Sequence, residues 1–190
     1  MKLVIGLVGR IGSGKTVVAN YLNEKYNAES KRFSQILMDI LDRLYMPNNR
    51  NNLQKLGALL RREFGEDVIV NAFERDLKSI NAKTIAIDGI RYRNEVKMLR
   101  KFKRNILIFI DAPSKLRYER VRKRGEKGES EITYEEFMKA EECETERYIG
   151  KIKTEAEYII DNSGTLNDLF KSVDKIMKNE NILPIHNHNP

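Results

Sequence analysis

The chain has no tryptophan, one cysteine and two histidines among 190 residues. A lone Cys143 excludes an internal disulfide, so nothing in the fold draws on an oxidising compartment; it reads as a small packing residue. His186 and His188 both fall in the final residues, which read as a loose tail over 179–190, and they build no metal centre. The longest apolar runs, such as ILIFI at 106–110, fall far short of the ~20 residues that cross a bilayer. The amino terminus reads as a strand and not as a leader, so the expectation is a cytoplasmic chain with no membrane segment. No repeat, low-complexity tract or interdomain linker interrupts residues 1–178, and one domain is expected there.

The residues that are present have a globular balance, 41% hydrophobic and 33% charged, with a formal net charge of +7. That charge is unevenly spread: residues 81–130 hold fifteen Lys and Arg against six Asp and Glu, and residues 131–161 hold four against ten. Clustered cations suit a polyphosphate ligand or, less favoured, nucleic acid. Nearly continuous apolar runs at 2–8, 84–89, 105–113 and 156–161, with a short extended segment at 28–33, read as about five strands of a parallel sheet covered on both faces. Helical spacing recurs over 15–25, 92–102 and 165–178, the last with Leu166, Leu169, Phe170, Val173 and Ile176 inward. It also fills 34–80, with Ser34 as a helix cap, and 133–148, where Thr133 and Glu136 have the spacing of a capping box. Alternation of this kind implies a doubly wound, three-layer α/β fold whose ligands gather at the carboxyl ends of the strands.

At the end of the first strand stands GRIGSGKT, residues 9–16. Gly9, Gly14, Lys15 and Thr16 fit the spacing G-x-x-x-x-G-K-[ST] of a phosphate-binding loop. Gly9, Gly12 and Gly14, with Ser13 between them, allow main-chain N–H groups to turn toward one anion. Lys15 reaches the β- and γ-phosphates, the Thr16 hydroxyl ligates Mg²⁺, and the following helix adds its N-terminal partial charge. ATP and Mg²⁺ are the expected cofactors. Two further absences narrow the chemistry. Asp88 and Asp111 end strands but are followed by Gly89 and Ala112, not by the second acid of a hydrolytic motor, and no N-K-x-D marks a GTPase switch. Both absences argue for a transferase, which needs an acceptor site beside the γ-phosphate and a cover against water, with an ATP-dependent nucleic-acid-binding module as the alternative.

GRIGSGKT, IDGIR, KLRYERVRKRG and IIDNSG together resemble the nucleoside monophosphate kinase-like group, and within it the deoxynucleoside monophosphate kinase and dephospho-CoA kinase branch. The resemblance implies a P-loop kinase fold with inserted acceptor-site helices at about 34–80 and an Arg-rich lid at about 114–131. It implies that Asp88 holds the Mg²⁺ shell and that Arg91 grips acceptor phosphate. Lid arginines Arg117, Arg120 and Arg124, with Arg122 a fourth candidate, would clamp the transferred group. Asn162 and Gly164 would border the adenine, and Arg50, Arg61 and Arg62 are acceptor-site candidates. Two features depart from the pattern. The adenylate kinase form D-G-x-P-R is one residue shorter here, and Ser34 stands where dephospho-CoA kinases carry an aspartate, with Asp39 and Asp42 one or two turns on. A phosphorylated acceptor, which needs little base catalysis, is therefore favoured over a sugar hydroxyl.

Plainer alternatives stand beside these readings. A solvated face accounts for an Arg-rich helix as well as a lid does; Gly125 and Gly128 as hinges favour the lid. Arg61 and Arg62 are adjacent and cannot both face one ligand. The acidic helix over 135–146 reads as a solvated face that pairs with the lid's positive charge.

Overall fold

Leu3–Val8 contains no polar side chain, and every residue of it is buried, which is possible only for a strand with layers on both faces. The computed structural model describes residues 1–125, 131–141 and 148–185, with the side chains of Arg50 and Ala140 excepted. The expectations for Cys143, Gly128, His186, His188 and the far half of the acidic helix lie outside the described residues.

The strands are β1 (Leu3–Val8), β2 (Glu29–Lys31), β3 (Thr84–Ile90), β4 (Asn105–Asp111) and β5 (Tyr158–Asp161). They form one parallel sheet in the order β2-β3-β1-β4-β5, the expected doubly wound α/β arrangement. β1 lies at the centre, and the chain leaves it on a switch of direction, where such sheets open a crevice. Helix α1 (Lys15–Tyr26) follows β1 directly. Between β2 and β3 stand α2 (Ser34–Arg43), α3 (Arg50–Phe64) and α4 (Val68–Ser79). Then come α5 (Arg93–Arg100), α6 (Ser114–Arg124), α7 (Tyr134–Ala140), α8 (Ile149–Ile152) and α9 (Leu166–Asn179).

Alternation along the strands divides the core in two. Val4, Val8, Ile87, Ile90, Leu107 and Phe109 pack with Leu37, Phe73, Leu77 and Leu99 on one face. Leu3, Ile5, Leu7, Ile108 and Ile110 pack with Val18, Leu22, Leu169 and Val173 on the other. Each of these buried side chains contributes roughly 1.5–3 kcal/mol relative to exposure. The second face is also pinned by polar contacts. Asp174 on α9 accepts hydrogen bonds from Tyr21, Tyr26 and Lys25 of α1, at 2.8, 2.7 and 2.8 Å. Leu166 begins α9 on its exposed side, so the inward stripe starts at Leu169. Ser34 starts α2, but the capping position falls on Phe33 and makes no side-chain bond. Thr133 and Glu136 do form the reciprocal cap at the start of α7. Past α9, Ile182 packs on the core and the Ile185 N–H donates to the Lys25 carbonyl at 2.8 Å.

One irregularity positions the site. Leu7 pairs with Asp88 but Val8 pairs with Ile90, so Gly89 is an extra residue in β3, with φ 85°. The bulge lets Ile87 and Ile90 both reach the first core while Asp88 between them turns toward α1. No atom lies within 4 Å of where a Cβ on Gly89 would stand, so the requirement for glycine is conformational alone. Gly89→Ala is therefore expected to lower the unfolding free energy by about 1 kcal/mol, read from the midpoint of a urea titration at unchanged slope.

Candidate functional site

The loop from Gly9 to Gly14 joins β1 to α1, and its glycines have no room for side chains. A Cβ on Gly9 would stand under 3.0 Å from the Ile110 carbonyl at the end of β4. One on Gly12 would meet the Arg117 carbonyl of α6, and one on Gly14 the Asn162 side chain beyond β5, each again under 3.0 Å. The loop is thus clasped by three elements. Asn162, itself buried, donates from Nδ2 to the Ser13 carbonyl at 2.8 Å, and Ser13 donates its N–H to the Arg10 carbonyl at 3.1 Å. Gly14 has φ 104° and caps a twelve-residue helix whose first residue is Lys15. The loop therefore ends at a helix N-terminus, whose unpaired N–H groups and partial positive charge suit an anion.

Lys15 Nζ donates to the carbonyls of Gly9 and Arg10, at 2.7 and 3.0 Å, and so lies along the loop it would serve. Thr16 Oγ1 donates to Asp88 Oδ2 at 3.0 Å across 72 residues of sequence. A hydroxyl and a carboxylate side by side next to a phosphate site are hard oxygen donors, the set that suits Mg²⁺ completed by phosphate and water. Among the described residues no group of three or more His, Cys, Asp or Glu could hold a metal ion without such a ligand. Asp111, the other strand-end acid, is paired with Lys153 at 2.7 Å.

The arginines of the 114–131 segment do not act as one set. Arg117 is buried and donates to the Ala112 carbonyl at 2.9 Å, to the Ile11 carbonyl at 3.3 Å and, with both terminal nitrogens, to Glu141. It lies beneath the phosphate loop, where the sequence reads a lid residue over it. Arg120 donates to the Asn162 carbonyl at 2.9 Å, and its other terminal nitrogen is buried with no hydrogen-bond partner among the described residues. Burial lowers its pKa below the ordinary arginine value. Arg122 lies over the Tyr118 ring, and Arg124 is exposed at the end of α6, where Gly125 stops the helix at φ 64°. Gly164 is exposed just past Asn162.

On the other side of the loop, the β3–α5 turn and α3 meet. The Arg61 guanidinium sits 4.7 Å from the centre of the Tyr92 ring, whereas Arg62 is exposed and pairs with Glu63. The structure therefore separates these two neighbours, and only Arg61 turns toward the turn that carries Arg91. Arg50 opens α3, and its side chain lies outside the described residues. Beneath the turn, Glu95 is buried and accepts the N–H groups of Arg91 and Tyr92 at 2.7 and 3.2 Å. Burial pushes its carboxyl up to about 7, against the opposing pull of those two amides and of Arg61 and Arg91. Asp39 and Asp42 on α2 are exposed and accept from the side-chain amides of Gln35 and Asn48.

Sequence reasoning missed Glu95, Glu141, Tyr92 and Lys153. Glu95 stands three residues into its helix, a recognisable spacing, but Tyr92 is not a usual cap. Glu141 closes α7, an end where the helix dipole disfavours a carboxylate, but the sequence reads the helix as running on to 146 and so gives no signal there.

Residues 5–146 match the family described as an AAA domain. The chain is 26% identical to a UPF0200 protein of Staphylothermus marinus, covering 94% of this chain and 93% of that one. It is 29% identical to a UPF0200 protein of Sulfurisphaera tokodaii, covering 92% and 96%. Its fold is similar to that of a shikimate kinase from Bacteroides thetaiotaomicron, with TM-score 0.60 and 16% identity over 94% of this chain and 98% of that one. A shikimate kinase from Aquifex aeolicus gives TM-score 0.56 and 15% identity over 94% and 98%. At these identities the likeness is one of fold, a P-loop kinase fold.

Glu95 makes the site's integrity depend on pH. Its carboxyl is raised from an ordinary 4.5 to about 7, so its contribution to stability is fully present below pH 4.5 and is lost as pH rises through about 7. Wild-type protein is expected to lose up to roughly 3 kcal/mol over that window. Glu95→Gln should flatten the profile, as read from urea titrations at pH 5 and pH 8.

Proposed function

The chain belongs to the AAA-domain family, and from that premise we propose that it is an ATP- and Mg²⁺-dependent kinase of a small phosphorylated acceptor, most simply a nucleoside or deoxynucleoside monophosphate. The observation that carries the proposal is the hydrogen bond from Thr16 to Asp88 beside the loop, with Lys15 lying along it. It joins a phosphate cradle to the acid of a neighbouring strand, and the residue after that acid is Gly89, not a second acid that would polarise water.

In this reading the N–H groups of Gly12, Gly14, Lys15 and Thr16 and the Lys15 ammonium hold the donor phosphates, and Thr16 and Asp88 hold Mg²⁺. The bound metal supplies charge neutralisation at the phosphate oxygens. Asn162 and Gly164 border the base of the donor, with Arg120 alongside. Arg61 and Arg91 flank the acceptor's phosphate, with Arg50 and Arg62 further out. Arg124, exposed at the end of α6 like Arg122, would close over the transferred group, and Arg117 serves from beneath. Because the acceptor already carries an ionised phosphate oxygen, no base is needed to activate it.

Two other readings lose ground on particular observations. A dephospho-CoA type of kinase needs a carboxylate next to a sugar hydroxyl, and Asp39 and Asp42 are exposed and engaged by amides of their own segment. A nucleic-acid partner needs a free cationic surface. Within 81–130, however, Arg93, Arg100, Lys101, Arg104 and Arg117 pair with Glu155, Glu157, Glu74, Glu180 and Glu141. Among the described residues no helix is long and apolar enough to cross a membrane.

The test is transfer of label from γ-labelled ATP to a panel of nucleoside monophosphates, with dephospho-CoA and a free hydroxyl acceptor as controls. At least one monophosphate is expected to be labelled, and Lys15→Ala, folded as judged by circular dichroism, should lower that rate at least about a hundredfold. Undiminished transfer by folded Lys15→Ala would overturn the mechanism.

A further inference from the structure

We propose that Glu141 is a positioning residue for the phosphate loop, its buried carboxylate fixing the loop's main chain through Arg117 and Arg10. The inference rests on the kinase reading only for what the loop receives.

Glu141 is 6% exposed and caps the C-terminal end of α7, where the helix dipole opposes a negative charge. A lone carboxylate in such a place is strongly disfavoured unless it is paired. Two guanidinium groups offset it. Arg117 engages both carboxylate oxygens, its Nη2 donating to Oε2 at 3.1 Å, and Arg10 Nη1 lies 3.3 Å from that same Oε2. Both arginines also grip the loop. Arg117 donates to the Ile11 carbonyl, and its own carbonyl is the surface on which Gly12 rests. Arg10 is a loop residue, and its carbonyl receives Lys15 Nζ at 3.0 Å and the Ser13 N–H at 3.1 Å. One carboxylate therefore governs the loop at Arg10, Ile11 and Gly12 without facing the loop's donors itself. Buried ion pairs of this kind add little net stability compared with apolar packing, so what the triad contributes is geometry.

The test compares hydrogen exchange at the Ser13 amide with that at β1 and β4 amides in the nucleotide-free protein. Glu141→Gln keeps the volume and removes the charge. It is expected to speed Ser13 exchange at least about tenfold while β1 and β4 keep their wild-type rates. ATP–Mg²⁺ affinity, measured by calorimetry, should weaken by a comparable factor. Arg10→Ala, which leaves the Arg117–Glu141 pair intact, should produce a smaller rise at the same amide and carries the test if Glu141→Gln does not fold. Wild-type exchange at Ser13 in the folded variants, or a rise shared equally by β1 and β4, would overturn the proposal. Failure of the wild-type chain to bind ATP–Mg²⁺ would instead remove the kinase reading and leave the exchange result standing.

Discussion

Main chain packed directly against other elements at Gly9, Gly12 and Gly14 is the constraint on which the rest of this structure depends. The end of β4, the carbonyl of Arg117 and the side chain of Asn162 occupy the space where Cβ atoms would stand. The β1–α1 loop is therefore shaped by three elements distant in sequence, and not by its own turn preferences alone. That clasp sets the direction of α1, and α1 in turn sets where Lys15 and Thr16 begin. The Gly89 bulge completes the arrangement by turning Asp88 out of the first core and onto Thr16. A loop held in this way by the protein's own packing would need little reorganisation to receive an anion.

Charge is distributed with the same economy. The excess of cations over 81–130 suggests a large positive surface, yet acids from α4, from the β5 approach and from the end of α9 take up Lys101, Arg93, Arg100 and Arg104. Burial then selects among the rest. Arg117 is held beneath the loop and Arg120 lies beside Asn162, while Arg61, from α3 and outside this stretch, lies on Tyr92. The acidic segment that begins at Glu131 is correspondingly not all solvated face, since Glu141 holds Arg10 and Arg117.

The parts legible in sequence are those governed by local rules. The spacing of Gly9, Gly14, Lys15 and Thr16 is short-range chemistry, and the apolar runs of β1, β3 and β4 announce a covered parallel sheet. The helices between 34 and 80 follow from the same kind of periodicity, whereas the order of the strands comes only from their pairing. What sequence could not show is set by tertiary contact. Arg117, Arg120 and Arg124 look alike in KLRYERVRKRG, and only packing against the loop, Asn162 and solvent tells them apart. Gly89 looks like one more loop glycine until the pairing of Leu7 and Val8 shows the extra residue. Ser34 has the chemistry of a cap, but the path from β2 puts Phe33 at the capping position. Glu95 was hidden for a different reason, because a carboxylate buried under two amides looks the same in sequence as one in water.

The proposed function needs the loop's amides, the Lys15 ammonium and the Thr16 hydroxyl to receive a nucleotide's phosphates. The most direct measurement is a calorimetric titration of the wild-type chain with ATP in the presence and absence of Mg²⁺. The account predicts saturable one-to-one binding that weakens when Mg²⁺ is withheld. No saturable heat with ATP–Mg²⁺, from protein shown to be folded, would contradict it.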